Sequence, residues 1–413
     1  MNKEKTLFVN IFNLFVIQGL NYLLPFIALP FLFRTLGATV YGVVATAYSF
    51  YIFCNILIDF GYNLSATREI SIHIDSKEEI DRIVSTTLAS KTLITVVCLL
   101  GSIIIIQSVP NYREYNYVFY LMMGIPIANC FFPIWYFQGV EKMGYMTLTT
   151  TLAKVLSFIP MFILIRSEKD VSLVAILYSL GYILSSIISI VLLKVKFGVC
   201  FVQVSFRLIL SSLKNSAPFF LSRISASLYS IGNTLVLSAT CGTQMAGYYD
   251  IAQKLIDAFN GLIAPVSQAL YPYMIKTKNV QIFKKFLIGG AIIGFSAFII
   301  SLIGGKFILH LVFGEIGEYT IEAFTILSFC LLFLIPNYLM GYSFLAAMGY
   351  VKYTNYTVII AGIFYLCVMP TLVLCGLVNV VSVAIVYMSC HLIVLLFRIY
   401  GIHKYKLFRK YDK

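Results

Sequence analysis

Charge is the scarcest commodity in this sequence. Only 11% of its 413 residues are charged, against about 25% in soluble domains. Apolar residues make up 60%. Most side chains therefore do not face water, and a soluble catalytic domain has no room in the chain. Acidic residues are scarcer than basic ones, 17 against 30, for a net charge of +13. That excess does not indicate nucleic acid. The basic residues stand in loops between apolar runs, where they act as topology signals.

Catalytic motifs are missing too. There is no G-x-x-x-x-G-K-[ST], no G-x-S-x-G and no H-E-x-x-H, which leaves no P-loop, nucleophile elbow or zincin helix. The nine cysteines form no CxxC pair, and most lie in apolar runs, as buried free thiols do. His73, His310, His391 and His403 are too scattered to imply a metal centre. The expectation is a protein that is not an enzyme and holds no resident cofactor.

What is abundant is the long apolar run. About 20 residues cross about 30 Å of hydrocarbon. The runs predict spans near 8–33, 41–64, 84–108, 115–137, 146–165, 171–193, 216–238, 246–273, 286–313, 320–346, 354–376 and 379–401. The first follows MNKEK but is too long for a signal-peptide core and lacks an A-x-A site, so it reads as an uncleaved span. Of the basic residues outside spans, only Arg34, Arg113, Arg166, Lys169 and Lys306 fall on the side opposite the N-terminus. The positive-inside rule puts both termini in the cytoplasm. Arg398 is counted in that cytoplasmic group, and Lys91 falls within a span.

The fold class is therefore an all-α polytopic membrane protein of about 12 transmembrane helices in two six-helix lobes around a central cavity. Residues 1–195 form one lobe, 196–215 a cytoplasmic linker, 216–402 the second lobe and 403–413 a basic tail. The halves repeat weakly. Gly37 and Gly42 match Gly242 and Gly247, Asn10 matches Asn215, and Gln18 matches Arg223, all at an offset of 205 residues. A six-plus-six repeat is parallel, and transporters of that type bind substrate between the halves.

Polar residues inside spans are costly, about 2.5–3.5 kcal/mol for an ion on the lenient insertion scale. Span 8 carries Asp250, Gln253, Lys254, Asp257, Asn260, Gly261 and Gln268. At about 100° per residue they fall on one stripe. The opposite face, from Ile251 to Ile263, is apolar. The stripe faces a water-lined pathway or a helix-packing network. Asp250 and Lys254 form an i,i+4 acid–base pair. Arg223 lies two turns inside span 7 and requires an anion, either a span 8 carboxylate or a substrate phosphate. Asp59 ends span 2 as a cap or gate. Arg34 and Lys154 are gating candidates that can also snorkel, and Gln18 joins that group. Pro25, Pro30 and Pro265 break helical hydrogen bonds. Asn21, Asn129, Gln253, Asn260 and Asn337 offer groups suited to sugars.

Several stretches resemble the Wzx-type O-antigen flippases, in the polysaccharide-transport branch of the multidrug/oligosaccharidyl-lipid/polysaccharide (MOP) exporter superfamily. They are QGLNYLLPFIALPFLFRTLGATVYG at 18–42, IDFGYNLSATREI at 58–70, PIWYFQGVEKMGYMT at 133–147, APFFLSRISASLYSIGNTLVL at 217–237 and GYYDIAQKLIDAFNGLIAPVSQALYPYM at 247–274. The resemblance implies two lobes with a polar cavity. It implies transfer of an undecaprenyl-diphosphate-linked oligosaccharide from the cytoplasmic to the periplasmic leaflet of the bacterial inner membrane. Alternating access coupled to H+ or Na+ goes with it, and Arg223, Asp250, Lys254 and Asp257 match its cavity residues by position. Expected partners are the lipid-linked glycan, membrane lipid and other glycan-assembly proteins. The alternatives are a cation-coupled drug or metabolite antiporter, which would want an acidic aromatic cavity, a membrane glycan polymerase, which would want a long outer loop, and a scaffold subunit.

Overall fold

The structure is a computed structural model. It describes the backbone of residues 3–410 and the side chains of residues 24–409 other than Asn260 and Leu262. Gln18 and Asn260 thus lie outside the described side chains. The chain is 87% helical, and no strand occurs among the described residues.

Twelve helices give the frame: α1 (Lys3–Asp59), α2 (Tyr62–Ile72), α3 (Lys77–Ser108), α4 (Gly124–Phe131), α5 (Met143–Leu164), α6 (Val171–Val195), α7 (Phe206–Ser230), α8 (Thr243–Thr277), α9 (Val280–Phe313), α10 (Leu331–Met340), α11 (Val351–Leu374) and α12 (Val380–Lys404). Shorter pieces join them. Among the described residues, eight helices are long and apolar enough to cross a membrane, and Glu318–Ser328 with Leu331–Ala346 makes a ninth, bent by 44°. The stretch Leu24–Ile72 counts once there but contains parts of two spans. The remaining two expected spans are α7, with its continuation Gly232–Cys241, and α8. Both are less apolar because they carry the polar residues that drew attention in the sequence.

Glycine makes the joint between the first two spans. Gly37 has φ 73° and ψ 167° inside α1. Gly242, at the offset expected of the repeat, has φ 95° and ψ 162° before α8. Only glycine occupies this region without strain. The same rare conformation at matched positions supports the parallel repeat more strongly than the glycine matches alone. Three of the long helices start on a side-chain cap. The Ser76 side chain accepts from Glu79 N, Asn279 from Ile282 N, and Asn379 forms a capping box with Ser382.

By contacts the chain separates into two compact units, Thr35–Ser227 and Met1–Arg34 with Leu228–Lys413. The sequence placed the division in a 196–215 linker. The units divide instead within α1, after Arg34, and within α7, after Ser227; α7 begins at Phe206, so the second half of the expected linker is helix. The tail differs as well: α12 reaches Lys404, and Leu407–Lys410 forms a further turn of helix.

Each unit has its own core. In the first, Tyr62, Trp135, Phe137 and Leu193 are buried together. In the second, Leu270, Met274, Phe283 and Phe344 are buried, with the Phe283 and Phe344 rings stacked at 4.0 Å. Of the nine cysteines, Cys54, Cys130, Cys330 and Cys390 are buried. Cys200, Cys367 and Cys375 are exposed, which corrects the buried reading for these three. Cys367 is on the outer face of α11, Cys375 follows the end of that helix, and Cys200 is in the loop before α7.

Candidate functional site

The first polar cluster lies in the unit Thr35–Ser227 and centres on Asp59. The α1 helix ends there, because Phe60 and Gly61 take positive φ angles of 39° and 81°. The carboxylate is buried, with its residue 7% exposed. Its Oδ1 accepts from Lys91 Nζ at 3.1 Å and from Asn129 Nδ2 at 3.3 Å. Its Oδ2 accepts from Asn63 Nδ2 at 3.1 Å. Arg223 of α7 reaches the same oxygen at 3.7 Å, with its side chain 45% exposed.

Proline explains part of this arrangement. A helix continuing past Asn129 would satisfy its carbonyl with the N–H of residue 133, and residue 133 is proline. The α4 helix ends at Phe131, and Lys91 Nζ donates to the Asn129 carbonyl at 2.7 Å. Lys91 is 0% exposed. It is thus a wholly buried cation held by one carboxylate and one carbonyl.

Next to this cluster α7 lies close against the start of α2. A Cβ on Gly61 would meet Ser216 O at 2.8 Å and Phe219 Cβ at 2.9 Å. The Phe60 and Phe220 rings stack at 4.4 Å, and Ser65 and Ser216 hydroxyls meet at 2.6 Å. Glycine at the turn is what lets the backbones approach.

The second cluster lies in the other unit, along α8. Lys254 Nζ pairs with Asp250 Oδ2 at 2.7 Å, as the i,i+4 spacing required. Gln253 donates to the Ser230 carbonyl, and Tyr387 Oη donates to Asp257 Oδ1 at 3.1 Å. His391 is one turn further along α12, with Tyr387 and Tyr229 rings at 4.6 and 5.4 Å. Its Nε2 is buried with no hydrogen-bonding partner among the described residues. Two turns further along α12, Arg398 donates to the Asn337 carbonyl and to Thr357 Oγ1. Gly341 leaves space for this guanidinium: a Cβ there would stand 2.7 Å from Nη1.

The structure therefore sorts the candidate residues. It brings Arg223 to Asp59, two residues the sequence had treated apart. The span 8 carboxylates offered as alternatives for Arg223 are engaged elsewhere, Asp250 with Lys254 and Asp257 with Tyr387. On the opposite face of α8, Ile251, Ala252 and Ile256 are core, all 0% exposed, while Leu255, Ala258 and Phe259 are half-buried. Arg34 donates from Nη2 to Leu311 O at 2.7 Å, near the C-terminal end of α9, where a cation meets the negative end of the helix dipole. Lys154 is half-buried in α5. Asn129 and Asn337 serve helix packing rather than an open wall, since Asn337 Nδ2 donates to His391 O at 2.9 Å.

Two charges escaped the sequence reading. Lys91 falls within an expected span, but the sequence gives it no partner and no role. Arg398 was counted as a cytoplasmic topology signal, yet it is only 7% exposed.

Known proteins share both the sequence and the architecture. The family described as "Polysaccharide biosynthesis protein" matches residues 7–278. A protein of Escherichia coli (strain K12) named "Putative O-antigen transporter" is 31% identical over 316 residues, covering 76% of this chain and 75% of that protein. Among solved structures, the inward closed conformation of lipid II flippase MurJ superposes with a TM-score of 0.74 at 14% identity, over 94% of this chain and 87% of that one. An inward-facing multidrug resistance MATE family transporter of the MOP superfamily gives 0.68 at 15% identity, over 93% and 95%. The last two show the fold alone: this chain shares their all-α architecture over most of its length.

Proposed function

We infer, on the premise that this chain belongs to the polysaccharide biosynthesis protein family, that it is a flippase for a polyprenyl-diphosphate-linked oligosaccharide. The Wzx resemblance carried by the spans 1–2 and 7–8 motifs agrees with that membership. The relatives are transporters, and a non-enzymatic role follows for this chain too. In this reading the glycan moves from the cytoplasmic to the periplasmic leaflet of the inner membrane, by alternating access, with both termini cytoplasmic. The partners are the lipid-linked glycan, the surrounding lipid and other glycan-assembly proteins.

The physical task is to carry a charged headgroup across hydrocarbon. Idealised transfer of one ion costs on the order of 20 kcal/mol. A cationic, water-reachable surface removes most of that cost while the polyprenyl tail stays in lipid.

The observation that carries the reading is Arg223: a cation within a span, 45% exposed and 3.7 Å from its carboxylate neighbour. A guanidinium is always charged and binds phosphate bidentately. Lys91 is buried and Lys254 is already paired at 2.7 Å, so Arg223 is the cation best placed to receive phosphate. Coupling to H+ or Na+ is assigned in the same reading to the contact of α8 with α12, where Asp257 accepts from Tyr387. The MATE likeness rests on the fold alone and does not favour a drug antiporter.

Replacing Arg223 tests the assignment. Arg223→Ala is expected to abolish surface glycan while the protein reaches the membrane at its normal level. Arg223→Lys should restore part of the export, because a point charge attracts phosphate but lacks the fork. Full export by a stable Arg223→Ala protein would overturn the reading.

A further inference from the structure

A phosphate-binding arginine that keeps a carboxylate beside it needs explanation, because the two compete for the same anion. The bonding of Asp59 supplies one. Three donors other than Arg223 hold it: Lys91 and Asn129 on Oδ1, and Asn63 on Oδ2. The Lys91 side chain is 1% exposed and neutralises the carboxylate directly. Arg223 is the outermost and longest contact, at 3.7 Å against 3.1 Å for Lys91. Removing Arg223 would leave Asp59 still paired and still hydrogen-bonded. The converse does not hold. An arginine within a span that lost Asp59 would have a costly charge to satisfy.

We propose that Asp59 is a resident counter-ion: it occupies the anion subsite of Arg223 between transport cycles, and the substrate diphosphate displaces it. The proposal rests on the reading of Arg223 as the phosphate contact. Lys91, Asn63 and Asn129 are the positioning residues that keep Asp59 in place once Arg223 leaves. The exchange needs no buried charge to stand alone at any step.

The arrangement also selects among anions. A ligand must outcompete a carboxylate already in place. A diphosphate does so through its greater charge and its capacity for bidentate, charge-assisted bonds of about 2.7–2.9 Å. A monoanion such as chloride or acetate gains little over the resident group. Competition also weakens the final complex, so that the headgroup can be released on the far side.

The test uses the purified full-length protein in non-ionic detergent, with inorganic pyrophosphate as the probe and binding read by thermal shift. Asp59→Asn/Lys91→Met removes the carboxylate and its buried cation together, so that no charge is stranded in the buried part of the cluster, and the guanidinium that remains, Arg223, is 45% exposed. It should bind pyrophosphate about fivefold more tightly than the wild type, the scale of one partly exposed ion pair. Adding Arg223→Ala should erase the gain. If the pair fails to accumulate, Asp59→Asn/Lys91→Gln retains a donor for the Asn129 carbonyl and serves instead. A folded double variant that binds no more tightly, or a gain that survives Arg223→Ala, would overturn the counter-ion. The two readings fail separately. Retained glycan export by Arg223→Ala removes the phosphate contact itself. Lost export together with unchanged affinity in the double variant removes only the role of Asp59.

Discussion

Lys91 shows how a single residue can hold a membrane core together. Its ammonium is enclosed by Asp59 and the Asn129 carbonyl, with nothing exposed. Breaking a buried pair from one side typically costs about 3–5 kcal/mol, because the remaining charge is stranded. Lys91→Met is therefore expected to lower the amount of protein in the membrane sharply. Asp59→Asn on top of it should restore much of that amount, measured by immunoblot of membrane fractions. Equal abundance of Lys91→Met and wild type would show that Arg223 and the two asparagines suffice for Asp59. The sequence did not reveal this role for a physical reason. Lys91 is only seven residues into the expected span 84–108, a depth from which a long side chain can snorkel. In the structure α3 begins at Lys77, and at about 1.5 Å per residue Lys91 lies some 21 Å along it. Arg398 was misread similarly. Its position near the end of a span looked like a topology signal, and only the contact with Gly341 and Asn337 shows that it points inward.

At the scale of an element, α8 shows how far periodicity reaches. Periodicity separated its polar stripe from its apolar face, and Asp250–Lys254 paired as the spacing required. Missing from the sequence was the reason for the apolar face. Part of that face is packed core, with Ile251, Ala252 and Ile256 completely covered, and the stripe is partly bonded through Gln253 and Asp257. The contact of Asp257 with Tyr387 spans 130 residues, and no local pattern encodes it. Exposure on the stripe concentrates at Lys254, whose side chain is 39% exposed, and at the exposed Gln268. These two lie on one face, two heptads apart. In a background without native cysteines, cysteine at Lys254 or Gln268 is expected to react with a membrane-impermeant maleimide from one side or the other. Cysteine at Ala252 or Ile256 should stay at least tenfold slower. Equal rates at all four would mean that the stripe does not border water.

For the whole molecule, the fold was legible because hydropathy decides it. Each expected span from 3 to 12 has a helical counterpart, and the Gly37 and Gly242 joints share one rare conformation at the repeat offset. The division into compact units was not legible. It depends on which helices α1 and α7 pack against, and hydropathy contains no information on that. Orientation still rests on the basic loops. Reporter fusions after Lys214 and Lys285 are expected to report cytoplasm, and one after Gly242 to report periplasm. A periplasmic signal at Lys214 would defeat the arrangement with both termini inside.

The Asp59–Lys91 pair has a further consequence for how the protein is made. Synthesis runs from the N-terminus, so Asp59 and Lys91 enter the bilayer long before Arg223 is translated. The two opposite charges come from the second and third spans and can neutralise each other as soon as both helices are inserted, when little more than a quarter of the chain, through Ser108 of 413 residues, has been made. Arg223, arriving later, meets a carboxylate that is already satisfied. It can therefore join the cluster loosely, and assembly of the first spans does not wait for the seventh.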